Sequence, residues 1–190
     1  MERYLAVSQW IDWQQPEILS KAAELKAKSS SELETVKLCF EFVRDQIKHS
    51  SDYQLNPVTC RASDVLREGT GYCYAKSHLL AALLRANGIP AGLCYQRLTI
   101  TDKPPFCLHG LNAVYLKDHG WYRLDPRGNK QGVDAQFCPP KEQLAFSIVT
   151  NGEADLPEIW PEPLTSVVDC LVTQPNWQAV LANLPDVELF

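Results

Sequence analysis

The chain has 190 residues, the size of one domain, and its 45% hydrophobic and 22% charged content is that of a globular protein rather than a disordered one. A formal net charge of −5, with no Lys/Arg cluster, argues against a phosphate-tracking surface and hence against a nucleic-acid partner. No apolar run approaches the ~18 residues of a membrane span, and residues 1–17 lack a basic segment followed by an apolar run. A cytoplasmic protein without signal peptide or membrane partner is therefore expected.

In chain order, residues 16–28 predict a helix with Pro16 in its first turn and Ile18, Leu19, Ala22, Ala23 and Leu25 on the apolar face. Ser31 and Glu34 have capping-box spacing, opening a second helix to about residue 48 with Leu33, Val36, Phe40, Val43 and Ile47 as one stripe. Residues 52–60 read as a loop, 62–68 as a short helix ended by Gly69, and 69–71 as a turn. The strongest helix signal covers residues 72–87, stopped by Asn87-Gly88 with Pro90 beyond. The period then changes to that of strands at 92–100, 108–116 and 121–125, the last two joined as a hairpin. After Pro126 the chain becomes Pro-rich and irregular, with one helix expected near 177–184. Helices first and antiparallel strands after them make an α+β domain: a helical part (1–60), a core (61–127) and a wrapping tail (128–190).

Seven cysteines are scattered without any Cys-x-x-Cys pair, so neither a structural zinc site nor another metal or cofactor is expected, and most should be free thiols packed as small apolar groups. Cys73 is the exception. It opens a helix that is apolar nearly all round (Leu79, Leu80, Ala81, Ala82, Leu83, Leu84) and follows Gly69-Thr70-Gly71. The unpaired N–H groups and partial positive charge of a helix N-terminus favour a thiolate, and the amide of Cys73 can also hold an oxyanion.

A thiol nucleophile needs an imidazole within reach. His78 lies five residues on, about 140° around the helix axis, and cannot face Cys73. His49 at the end of the second helix and His119 in the hairpin turn read as solvated or capping residues. His109 opens a strand, and Asp125 closes the next one before Pro126. Their even separation puts both on one face if the hairpin is centred on Lys117, with Ala113 opposite Trp121, Leu111 opposite Arg123 and His109 opposite Asp125. A tight Asp118-His119 turn would put them on opposite faces, so an odd-numbered loop or a bulge is predicted. Taken one at a time, these residues also have plainer readings as a buried thiol, a polar strand residue and a strand-end Asx turn.

Gly71-Tyr72-Cys73, the LLAALLRANGIP run from Leu79 to Pro90, His109-Gly-Leu-Asn, and Gly120-Trp-Tyr-Arg-Leu-Asp125-Pro126 together closely resemble the bacterial transglutaminase-like superfamily, from about residue 35 to residue 127. The resemblance implies a papain-like core: a central buried helix with the nucleophile at its N-terminus, packed on an antiparallel sheet. Cys73 would be nucleophile, His109 base and then acid, and Asp125 the group that orients the imidazole. Tyr72 and Tyr74 fall at the cleft or in the core, and Gln46 and Gln54 are candidates for a second oxyanion donor. No acyl-CoA feature and no acidic calcium-site cluster is evident. The expected substrate is a peptide, protein or small amide, attacked to form a thioester, with hydrolysis favoured because nothing marks a second, amine-binding site. The alternative is a non-catalytic binding module that keeps the fold; its usual mark, loss of a triad residue, is absent.

Overall fold

The computed structural model describes residues 1–187. After a single 3₁₀ turn at Glu2–Tyr4, helices α1 (Pro16–Ala27) and α2 (Glu32–Gln46) lead into a two-residue strand β1 (Lys48–His49) and a one-turn helix α3 (Ser50–Tyr53). Helix α4 (Ala62–Glu68) and strand β2 (Thr70–Gly71) precede α5 (Cys73–Ala86). Strands β3 (Ala91–Thr99), β4 (Phe106–Leu116) and β5 (Gly120–Leu124) follow. The tail adds β6 (Gln136–Cys138), β7 (Lys141–Gln143), β8 (Ala154–Asp155), α6 (Thr165–Thr173) and α7 (Trp177–Ala182). Among the described residues no helix is long and apolar enough to cross a membrane.

The α+β arrangement expected from the sequence is the one observed. Helix α5 is its axis: every residue from Cys73 to Arg85 is buried. Leu79, Leu80, Leu83 and Leu84 are wholly enclosed, each worth about 1.5–3 kcal/mol of burial. The buried Arg85 guanidinium is satisfied by carbonyls of Ala6, Ala91 and Pro161, tying both ends of the chain to the helix. Below α5 lies an antiparallel sheet of order β5-β4-β3-β8. Asn112 of β4 donates to the carbonyl of Ser77 on α5, so the even-numbered side chains of β4 face the helix.

Several local expectations need correction. Leu19 and Leu33 are exposed, and Ala23 with them, so the core faces of α1 and α2 are narrower than their apolar patterns. Ser31 does cap α2 by accepting from the Glu34 amide at 3.2 Å, but the Glu34 carboxylate reaches back to Ser30 N at 2.6 Å rather than to Ser31. Residues 52 and 53, expected to start a loop, end the short helix α3 instead. Of the turn expected at 69–71, Gly69 is a turn residue, whereas Thr70 and Gly71 pair in parallel with Lys48 and His49. Helix α6 was not anticipated, because its sequence TSVVDCLVT is rich in β-branched residues that favour strands, and its burial against the core overrides that preference.

The hairpin loop has the predicted odd length. Leu116 pairs with Gly120 around Lys117-Asp118-His119, the His119 amide bonds back to the Leu116 carbonyl at 3.2 Å, and Gly120 takes a left-handed conformation (φ 70°) as the chain re-enters the strand. Its centre is Asp118, not Lys117, so Ala113 lies opposite Arg123 rather than Trp121. A two-residue shift preserves parity, so His109 and Asp125 keep a common face but are staggered. β5 ends at Leu124, opposite Asn112.

Candidate active site

The early end of β5 makes room for the site. In β4 the Tyr115 amide bonds to Pro90, on the β3 side, so the even-numbered amides point to the β5 side. Past Asn112 that edge has no strand partner among the described residues, and other groups take it. The first turn of α5 supplies two of them: Gly110 N–H donates to Cys73 Sγ at 3.4 Å, and the Tyr74 hydroxyl donates to the Leu108 carbonyl. The tail supplies a third, with Leu108 N–H donating to the Pro185 carbonyl at 2.7 Å. Gly110 permits this approach, since a Cβ there would lie 2.9 Å from the Tyr74 ring and 3.1 Å from its Cα.

Cys73, His109 and Asp125 are brought together. His109 Nε2 donates to Asp125 Oδ2 at 2.7 Å, and Cys73 is its second charge partner. With Nε2 committed to the carboxylate, Nδ1 is the nitrogen left for sulfur. Asp125 is fully buried and also accepts from the amides of Arg127 and Ala145, both at 3.1 Å. Burial by itself would raise the Asp125 carboxyl, but the His109 charge outweighs it and holds the group below its ordinary range. Burial likewise would lower His109, but the charges of Asp125 and then Cys73 overcome it and raise the imidazole to about 10. Phe146 packs edge-on against His109, ring centres 5.0 Å apart, and limits rotation of the imidazole.

No side chain caps the N-terminus of α5, where Tyr72 is the N-cap. Its first amides therefore stay available to an anion. Cys73, 7% exposed, opens onto a cleft of about 390 Å³. Its walls are largely apolar (Leu98, Leu108, Leu181, Leu184), with Arg127 and Lys130 also lining it. Both cations bind the Asp52 carboxylate, Arg127 at 2.6 and 3.1 Å and Lys130 at 2.7 Å. Tyr72 and Tyr74 line the cleft and are also buried, and the Tyr72 hydroxyl donates to the Trp177 carbonyl at 2.6 Å, fastening α7 beside the site.

All seven cysteines are free; burial pushes Cys39, Cys60 and Cys94 up to about 12, and Cys107 and Cys170 to about 11, while Cys138 is exposed. His78 is a core residue bonded through Nδ1 to Cys60 O at 2.8 Å, away from Cys73, as helix geometry required. His119 is exposed in the hairpin turn. Gln46 and Gln54 are exposed and do not line the cleft. His49 is the residue that sequence reasoning misplaced. It is neither solvated nor a side-chain cap but buried, on the cleft wall beside Cys73. The parallel β1–β2 pairing puts it next to Gly71, and no local signal in the sequence announces that pairing.

Residues 20–126 match the sequence profile of the transglutaminase-like superfamily. Similar solved structures include a protein from Cytophaga hutchinsonii provisionally assigned as a cysteine protease, at 21% identity and TM-score 0.53, covering 65% of this chain and 40% of that one. The periplasmic domain of TgpA from Pseudomonas aeruginosa, bound to ethylmercury, matches at 20% identity and TM-score 0.50, covering 66% of this chain and 47% of that domain. This chain thus aligns with less than half the length of either, and the likeness concerns the fold. No curated protein matches it.

Proposed function

Because this chain belongs to the transglutaminase-like superfamily, we propose that it is a cysteine-dependent enzyme that cleaves a peptide-like amide through a thioester, with Cys73 as nucleophile, His109 as base and acid, and Asp125 as the orienting carboxylate. The observation that carries this reading is that Cys73, at the N-terminus of α5, shares a cleft with His109, whose imidazole is bonded to the fully buried Asp125. Cys73 gives its proton to His109, and sulfur attacks the acyl carbon while the carbonyl electron pair moves onto oxygen. Collapse of that intermediate expels the amine, which takes the proton from His109 and leaves the thioester. Water, deprotonated by His109, then releases the acid and restores the thiol.

Hydrolysis is favoured over transfer to an amine because the cleft is small and the tail residues Leu181 and Leu184 wall one side of it. The apolar walls, with Arg127 and Lys130 nearby, suit a peptide or protein segment or a small amide. Seven free thiols fit a reducing, cytoplasmic setting.

Iodoacetamide labelling at mildly acidic pH tests the activated thiol, with exposed Cys138 as the internal comparator. Cys73 should label roughly tenfold or more faster than Cys138, and His109→Ala should abolish the advantage. A Cys73 that labels no faster than Cys138, or a rate unchanged by His109→Ala, overturns the reading. Product masses from peptide and isopeptide panels, with and without added amine, then separate hydrolysis from transfer.

A further inference from the structure

The amide of Cys73 offers one donor to an oxyanion, and neither upstream glutamine lines the cleft. We propose that His49 supplies the second donor, through Nε2–H, to the oxygen that becomes negative when Cys73 attacks. This assignment rests on the cysteine-enzyme reading above.

His49 is only 6% exposed and shares the cleft wall with Cys73. Its position is built rather than incidental. β1 is held in parallel against β2, with His49 beside Gly71, two residues before the nucleophile. The Thr70 hydroxyl donates to Lys48 O at 3.0 Å and lies 3.1 Å from that of Ser50, fixing the backbone on either side of His49. The ring packs edge-on against Tyr72, centres 5.3 Å apart.

The protonation pattern suits a neutral donor. Burial first, and then the Arg127 charge, hold the imidazole well below its ordinary range, so it is uncharged near neutral pH. Ser51 Oγ lies 3.4 Å from Nδ1 and can donate to it, which leaves the hydrogen on Nε2. Asp52 does not compete for Nδ1: its nearest oxygen is 3.8 Å away, and the carboxylate is taken by Arg127 and Lys130. Nε2 of His49 has no partner among the described residues, yet it is not a sealed orphan like Nε2 of His78. A buried imidazole with one nitrogen held and the other unpartnered, on the wall of the cleft onto which Cys73 opens, can serve an anion that forms there. A neutral donor costs little to keep there before reaction and gains as charge develops on the substrate oxygen.

Two reactions of the same thiol separate this role from support of the triad. Alkylation by iodoacetamide forms the S–C bond as iodide leaves, and no oxyanion arises. Acylation by p-nitrophenyl acetate forms the S–C bond as the carbonyl pair moves to oxygen, then re-forms C=O as p-nitrophenolate leaves. His49→Ala should slow the p-nitrophenolate burst roughly 10²-fold, the usual effect of losing one such donor, and leave Cys73 alkylation within about twofold. His49→Gln, which restores an N–H, should recover most of the loss. An unchanged burst in His49→Ala overturns the assignment. So does an equal loss in both reactions, which would make His49 a support for the Cys73–His109 pair. A wild-type chain with no burst that depends on Cys73 overturns the underlying reading, and the assignment with it.

Discussion

Asp125 does three things with two oxygens, accepting from His109, Arg127 and Ala145. Removing it therefore acts on charge and on structure together, and the two parts can be separated. Asp125→Asn keeps the shape but removes the charge that lifts His109. Burial then dominates, and the imidazole should titrate far below its present value of about 10. A histidine NMR titration checks this, and a His109 value that stays near 10 would mean that Cys73 alone sustains it. Asp125→Ala also strands two buried amides and a buried imidazolium, and should cost about 3–5 kcal/mol in denaturant unfolding. At this scale the sequence was most informative for residues whose role follows from local geometry. Cys73 at a helix start, His78 facing away and the parity of 109 and 125 all follow from helix and strand periods. The burial of His49 does not, because no local pattern distinguishes it from a solvated helix-end histidine.

Between elements, the decisive contact is the first turn of α5 against the β4 edge that β5 leaves open. Gly110 is a point of close approach, and a Cβ there meets both the ring edge of Tyr74 at 2.9 Å and its Cα at 3.1 Å. Gly110→Ala should push α5 and β4 apart, costing about 1–3 kcal/mol, and lengthen the Gly110–Cys73 contact. Cys73 reactivity should then fall roughly tenfold or more, because small misplacements of reacting groups are expensive. Thermal unfolding and iodoacetamide rates measured on the same variant decide it; an unchanged rate would show that the Cys73–His109 pair tolerates the shift. The Gly after His109 was visible in the sequence, but its reason was not. Nothing in a strand pattern says that a helix N-terminus will replace the missing strand.

For the molecule as a whole, buried titratable groups make stability depend on pH, and two of them oppose each other. His109 is raised from 6.5 to about 10, so its contribution is fully present below pH 6.5 and is lost as pH rises towards 10. Lys76 is enclosed under the C-terminal end of α2, donating to the Arg44 carbonyl at 3.2 Å and to that of Ile47. Burial first, then the Arg127 charge, lower it from 10.5 to about 7, so its penalty is relieved as pH rises over that interval. Between pH 7 and 10 the two slopes, each at most about 1.4 kcal/mol per pH unit, offset each other and wild-type stability should be nearly flat. Lys76→Met removes one slope, and the denaturant midpoint should then fall steadily with pH across this range; a slope equal to that of the wild type would show that Lys76 is not lowered in the folded state, and a flat variant that His109 is not raised. On the acid side, burial lowers His78 to about 4, so stability should decline as pH falls from 6.5 towards 4. The sequence by itself determined α5, the helices α1, α2 and α4, the strands β3 to β5 and the odd hairpin loop, because each rests on periods and turn chemistry within a few neighbouring residues, and it singled out the three residues of the proposed catalytic line. Only the tertiary structure decided that His49 lines the cleft, that α5 and Pro185 occupy the β4 edge, and that α7 walls the site. Those placements depend on pairings between segments distant in the chain, whose hydrogen bonds and buried surfaces exist only once the core has closed.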